Sequence, residues 1–195
     1  YTWASGTNTL TATGSRGVVF TVQVTDPATG AYKVTLVDNV LHATGPNDEN
    51  TTDPTTSLAY RITDADNSFV TGALTVTFDD DAPTASAELS QNVAEGATVT
   101  GTLDFVAGAD GASVTQINIT VLMFNSADAN YSQAVAIGGG SIKVKADGSY
   151  SFTASNPTTS PVAPTSATFT VRDADGDTAT AAINFQVIDA NVPTT

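Results

Sequence analysis

The sequence predicts an all-β protein built from two tandem β-sandwiches. Its composition is 41% hydrophobic but only 7% aromatic, and its many Thr and Val residues suit pleated, half-buried strands. Short alternating runs are separated by turn residues, and one series of strands and acidic turns occurs twice. The hydrophobic share is too high for a disordered chain, and 195 residues suit two small domains.

The strands are predicted from period-two alternation, in which every second side chain faces the core. In the first half, residues 18–24, 32–36 and 74–78 follow this pattern, and residues 26–30 form a plain hairpin turn. In the second half, residues 114–123, 142–144 and 183–187 alternate in the same way, with turns at residues 138–140 and 146–149. Short, regularly spaced strands of this kind are typical of a sandwich.

An internal repeat divides the chain. Residues 57–83 (SLAYRITDADNSFVTGALTVTFDDDAP) match residues 166–193 (SATFTVRDADGDTATAAINFQVIDANVP), so that Asp64 corresponds to Asp173. Upstream, residues 30–35 (GAYKVT) match residues 148–153 (GSYSFT). The acidic, Pro-containing run at residues 79–83 is unsuited to a sheet interior. We therefore predict two domains, residues 1–83 and 84–195.

The first domain is predicted to be incomplete. Residues 84–147 precede Gly148 in the second domain, whereas only residues 1–29 precede Gly30 in the first. The difference of about 35 residues is two to three strands of ordinary length with their turns. Either the sequence begins inside a domain, or the lacking strands come from elsewhere. A hairpin of residues 1–4 and 9–13 could replace part of them.

The charge indicates a cationic ligand. Twenty acidic residues against six basic ones give a net charge of −14, which repels itself in a compact fold and disfavours binding to nucleic acid. The chain has no Cys, so disulfides cannot stabilise it and soft metals have few ligands. It has no apolar run long enough to insert in a membrane.

The residues that predict metal chemistry are the alternating acids of residues 173–177 (DADGD), because several carboxylates around a Gly turn can converge on Ca²⁺. If the ends of each domain lie at opposite poles, the linker acids, Asp104, Asp110 and this turn meet where one domain follows the other. Such a cluster would repel itself without a cation. The first copy, in which Asn67 and Ser68 replace Gly and Asp, is expected to bind more weakly. The predicted calcium ligands are Asp64, Asp66, Asp79, Asp80, Asp81, Asp104, Asp110, Asp173, Asp175, Asp177 and Asp189.

These motifs resemble the tandem immunoglobulin-like repeats of giant type I secreted RTX adhesins, the biofilm and ice adhesins of Gram-negative bacteria. The similarity rests on the DADGD-like turn, the alternating strand after it and the DDDAP linker. It implies immunoglobulin-like or cadherin-like sandwiches, stiffened by calcium, that act as a spacer on the bacterial surface and project a ligand-binding domain. It also implies secretion, a monomer in contact with neighbouring repeats, and a host or surface ligand bound through another domain. In such proteins an inserted domain splits some sandwiches, which is a further explanation of the short first domain.

Two other functions are weighed against the spacer. A calcium-dependent module that binds glycan or peptide could use the long loop at residues 39–56 and aromatic residues such as Trp3, Tyr1 and Tyr131. An enzyme is not expected, because the single His42 has no neighbouring catalytic motif. The plain interpretation of the acids themselves is that they are solvated turn residues.

Overall fold

A computed structural model describes residues 1–38, 40, 55–79, 81–109, 111–156, 164–174 and 176–189. These residues form strands and a single 3₁₀ turn at Ser126–Asp128, and the predicted all-β class is confirmed. No helix in the described part of the chain is long and apolar enough to cross a membrane. The chain divides into two compact units, and Asp81 is the first described residue of the second.

The strands described in the first unit are β1 (Thr2–Ala4), β2 (Thr9–Gly14), β3 (Gly17–Asp26), β4 (Ala31–Leu36), β5 (Thr55–Thr63) and β6 (Phe69–Thr77). They form a four-stranded antiparallel sheet, in the order β1-β2-β3-β4, and a separate β5-β6 hairpin. The predicted hairpin at the start of the chain consists of β1 and β2, and it joins the sheet because β2 pairs with β3. Alternate side chains of the two sheets meet in a small core around Phe20, whose ring centroid lies 5.2 Å from that of Phe78.

The second unit has thirteen strands in the described residues. They are β7 (Thr84–Ala85), β8 (Gln91–Ala94), β9 (Thr98–Thr102), β10 (Phe105–Val106), β11 (Ala112–Ile117), β12 (Thr120–Val121), β13 (Phe124–Asn125), β14 (Tyr131–Ser132), β15 (Val135–Ala136), β16 (Gly140–Val144), β17 (Ser149–Ala154), β18 (Thr165–Asp173) and β19 (Thr178–Ile188).

Two sheets enclose the core of the second unit. One has the order β12-β11-β18-β19-β8, with β8 parallel to β19, and the other has the order β15-β16-β17-β9. Phe152 on β17 and Phe185 on β19 stack with their ring centroids 3.9 Å apart, and Tyr150 meets Phe185 edge-on. These three aromatic side chains are almost fully buried, so they join the two sheets at the centre of the sandwich.

One strand prediction was wrong. Residues 114–123 form two strands, β11 and β12, because the chain turns at Asn118. Asn118 adopts a left-handed backbone with φ of 51°, which Asn tolerates better than β-branched residues do. Its side-chain oxygen accepts a hydrogen bond from the Thr168 N–H at 2.9 Å. The apolar residues on both sides of Asn118 obscure this turn in the sequence.

Candidate metal centre

The acidic turn of the second unit connects β18 to β19. Asp173 is 9% exposed and Asp177 only 1%, so two carboxyl groups are buried four residues apart. Oδ1 of Asp173 accepts hydrogen bonds from the N–H groups of Gly176 and Asp177, at 2.9 and 2.7 Å. The backbone closes the turn between Asp173 N–H and Asp177 C=O. Solvated turn residues would be exposed, and these two are not.

Gly176 is required by this turn. Its φ of +123° lies in a region that side chains rarely adopt, and a Cβ there would lie 2.8 Å from Nη2 of Arg172. The Arg172 guanidinium therefore lies beside the turn and is a local cation that sequence analysis missed. The sequence could have indicated this cation, because Arg172 stands directly before the DADGD run.

Asp81 lies at the start of the second unit and holds a second loop. Its two carboxylate oxygens accept from the Ala109 N–H at 2.9 and 3.0 Å. Gly108 approaches the same carboxylate with a φ of +75°. Three residues after Ala109, Ala112 pairs with Asp173 across β11 and β18. One short segment of chain thus links the Asp81 carboxylate to the first residue of the acidic turn.

Asp104 lies directly before β10. Its C=O accepts from the Ser86 N–H, and its own N–H donates to Oε1 of Glu88 at 2.6 Å. These contacts place Asp104 further along the β7–β10 ribbon, which pairs Phe105 with Ala85. Asp189 follows β19 and is half-buried.

The corresponding turn of the first unit is built differently. Asp64 and Asp66 are exposed, and Asn67 takes the place of Gly176 with a φ of 71°. Hydrogen bonding holds the pKa of Asp66 below its usual value, first through the Asp64 side chain and then through the Ser68 N–H, which donates to the Asp66 carboxylate at 3.1 Å. Two carboxyl groups are thus in contact on this surface. Asp79, just after β6, is exposed.

Three predicted ligands, Asp80, Asp110 and Asp175, lie outside the described residues, as do His42 and nearly all of the loop at residues 39–56. In the part of the chain that is described, no group of three or more His, Asp or Glu side chains is close enough to hold a metal ion. Buried carboxylates on a glycine turn are nevertheless the hard oxygen donors that Ca²⁺ prefers. The chemistry of Asp173 and Asp177 therefore suits Ca²⁺, and both would contribute to such a site.

The aromatic residues of the alternative ligand platform divide between the units. Tyr1 and Trp3 belong to the first unit and are exposed, and the Tyr1 hydroxyl forms a hydrogen bond with Thr56 at 2.8 Å. Tyr131 belongs to the second unit, where its ring lies 4.7 Å from Nζ of Lys145. Tyr1 and Tyr131 therefore each have side-chain contacts within their own unit.

Two mainly antiparallel sheets over one aromatic core define the second unit as an immunoglobulin-like β-sandwich. The family described as the bacterial Ig domain matches residues 80–186, more than half of the chain. The protein belongs to this family, whose domains typically occur as structural repeats in surface and extracellular proteins. No curated protein matches the chain.

Proposed function

We propose that this protein is a calcium-stiffened extender of a large secreted bacterial adhesin. It separates a ligand-binding region from the cell surface and carries no catalytic activity of its own. Membership of the bacterial Ig domain family supports a structural repeat. The observation that carries the proposal further is the burial of Asp173 and Asp177 in one turn.

The physical reason is the cost of burying like charges. Two carboxylates in a partly desolvated turn raise each other's energy, and the net charge of −14 adds repulsion over the whole molecule. The Arg172 guanidinium beside the turn carries a single positive charge, and a divalent cation would offset the remaining repulsion. Extracellular calcium modules bind at ~10⁻⁴–10⁻³ M, far above cytosolic free calcium. The domain would therefore gain its full stability only after export.

The test is thermal unfolding with excess EDTA and with calcium. At a calcium concentration of about 100 times Kd, one site adds ~2.7 kcal/mol to the free energy of unfolding. Asp177→Asn should abolish this gain. Asp147→Asn is the matched control, because Asp147 is also in an Asp-Gly turn of the second unit but is exposed. Asp147→Asn should respond to calcium as the unchanged protein does.

A melting temperature that does not respond to calcium would refute the calcium part of the proposal. The adhesin part is tested separately, with a glycan array and a peptide panel probed with and without EDTA. An extender binds none of these ligands. Calcium-dependent capture of one glycan class would instead assign the protein as a ligand-binding module.

A further inference from the structure

The strand β12 forms one edge of the five-stranded sheet in the second unit. On its inner side it pairs with β11, where Val121 lies opposite Gln116. The Leu122 N–H continues this ladder by donating to the Thr115 C=O at 2.9 Å. Backbone N–H and C=O groups alternate in direction along an extended strand. Val121 and Met123, which flank Leu122, therefore point these groups away from β11, toward the edge of the sheet.

The composition of this edge favours pairing with another strand. Residues 117–124 (INITVLMF) are mostly apolar or β-branched and include no charged residue, Pro or Gly, which is the composition of segments that stack readily as added strands. Val121 and Met123 are 61% and 71% exposed, whereas Leu122 between them is buried. Because side chains alternate along a strand, the two exposed side chains share one face. An uncharged edge strand with such a face is a site of edge-to-edge association unless it is blocked.

The side chain of Gln133 occupies this edge. Its Nε2 donates to the Val121 C=O at 2.8 Å, and its Oε1 accepts from the Met123 N–H at 2.7 Å. The backbone N–H of Gln133 donates to the Met123 C=O at 3.2 Å. A single residue thus satisfies three of the backbone groups that β12 and the residues after it direct outward.

The two side-chain contacts reproduce those of a neighbouring strand. In a parallel ladder, a residue donates its N–H to one residue of the adjacent strand and accepts from the residue two positions further along. The Gln133 amide does the same with Val121 and Met123, since it carries one C=O and one NH₂ group. After Gln133 the chain enters β15, which belongs to the other sheet. The side chain therefore stands where a further strand would otherwise pair.

We infer that the edge of β12 is a strand-addition site for a second copy of this chain, and that the Gln133 side chain keeps the site closed. The distribution of charge points to a second copy. Two molecules with a net charge of −14 repel each other, but residues 111–127 include no charged residue, and the acid that follows them, Asp128, is paired with Lys143 at 2.6 Å. Two copies therefore repel each other only weakly at β12. This inference depends neither on calcium nor on the adhesin proposal.

The experiment compares Gln133→Ala with the unchanged 195-residue chain in the same buffer. The substitution removes both side-chain hydrogen bonds, so the Met123 amide should exchange about tenfold faster at low protein concentration. The edge is then free to pair with the edge of another copy. Sedimentation equilibrium should therefore show self-association of the variant that increases with protein concentration, whereas the unchanged protein stays a monomer.

Two further variants identify the surface through which the copies associate. Gln116→Ala is the matched control, because Gln116 lies opposite Val121 on β11, and its removal uncovers the same face without opening the edge. This control should stay a monomer with slow exchange of the Met123 amide. Val121→Lys, added to Gln133→Ala, places a charge on the edge strand and should restore the monomer. Association caused by misfolding would not be reversed in this way.

Three results would overturn the inference. The first is that Gln133→Ala associates no more than the unchanged protein does. The second is that Val121→Lys leaves the association of Gln133→Ala as it is, because the copies would then meet elsewhere. The third needs no variant: exchange of the Met123 amide in the unchanged protein at the rate of an unstructured peptide would show that Gln133 does not hold the edge.

Discussion

Replacing each of the two equivalent tyrosines by alanine should have very different costs. Tyr150→Ala removes a ring that is 1% exposed, touches Phe185 and forms a hydrogen bond with Gln91. Large-to-small changes of buried aromatic residues cost ~3–5 kcal/mol. Tyr32→Ala removes a ring that is 53% exposed. Full burial of a large apolar side chain stabilises a fold by ~1.5–3 kcal/mol, and the Tyr32 ring is only about half buried, so Tyr32→Ala should lower the free energy of unfolding by about 1 kcal/mol.

Urea unfolding separates the two effects. Trp3 is the single Trp of the chain and lies in the first unit, so its fluorescence follows that unit. Amide NMR signals of β17 follow the second unit. With a typical urea slope of ~2 kcal/mol/M, Tyr150→Ala should lower the midpoint of the second unit by roughly 2 M, and Tyr32→Ala should lower that of the first by about 0.5 M. Equal losses would contradict the difference in burial between the two tyrosine rings.

Substitutions at three further positions test local features of the second unit. Asn118→Gly keeps the left-handed backbone but removes the acceptor of the Thr168 N–H, so it should cost about 1 kcal/mol in urea unfolding, and Asn118→Ala should cost more. Gly176→Ala should cost about 1–3 kcal/mol, because its φ of +123° strains any side chain; an unchanged stability would contradict the turn geometry. The hydrogen bond from the Ser149 N–H lowers the pKa of Asp147, so its contribution is present above the unfolded pKa near 3.9 and is lost as pH falls through the folded value. The melting temperature of Asp147→Asn should therefore fall less steeply than that of the unchanged protein as the pH is lowered through this range. An identical dependence of the two melting temperatures on pH would contradict this interpretation.

The fold class and most strands could be predicted because each depends on local alternation and turn residues. The hairpin turn at residues 26–30 formed as predicted. Asp26 accepts from the Ala28 N–H and the Thr29 hydroxyl there, and these contacts, that of Thr29 first, hold its pKa below the usual value. The break at Asn118 could not be predicted, since it depends on a contact with Thr168 fifty residues away.

The candidate site was predictable only in part. The alternation of acids identified Asp173 and Asp177, because a glycine turn between two strands brings such residues together. It could not reveal that both are buried, nor that Asp81 binds the Ala109 N–H. These facts depend on how loops far apart in sequence meet. The place of Asp104 among the metal ligands stays a prediction, because its contacts with Ser86 and Glu88 involve only its backbone.

Comparison of the two units shows which structural features a sequence pattern can predict and which it cannot. Residues 58–62 and 167–171 carry the same alternation of apolar side chains, and alternation fixes which face of a strand they occupy. Whether that face is buried depends on strands contributed from elsewhere. In the second unit Phe169 is fully buried, whereas the corresponding Tyr60 of the first unit is 50% exposed. An exposed alternating apolar face favours aggregation, and the net charge of −14 opposes self-association through it. A salt series tests this protection, because self-association should increase as salt screens the charge, and self-association that does not depend on salt would contradict the argument.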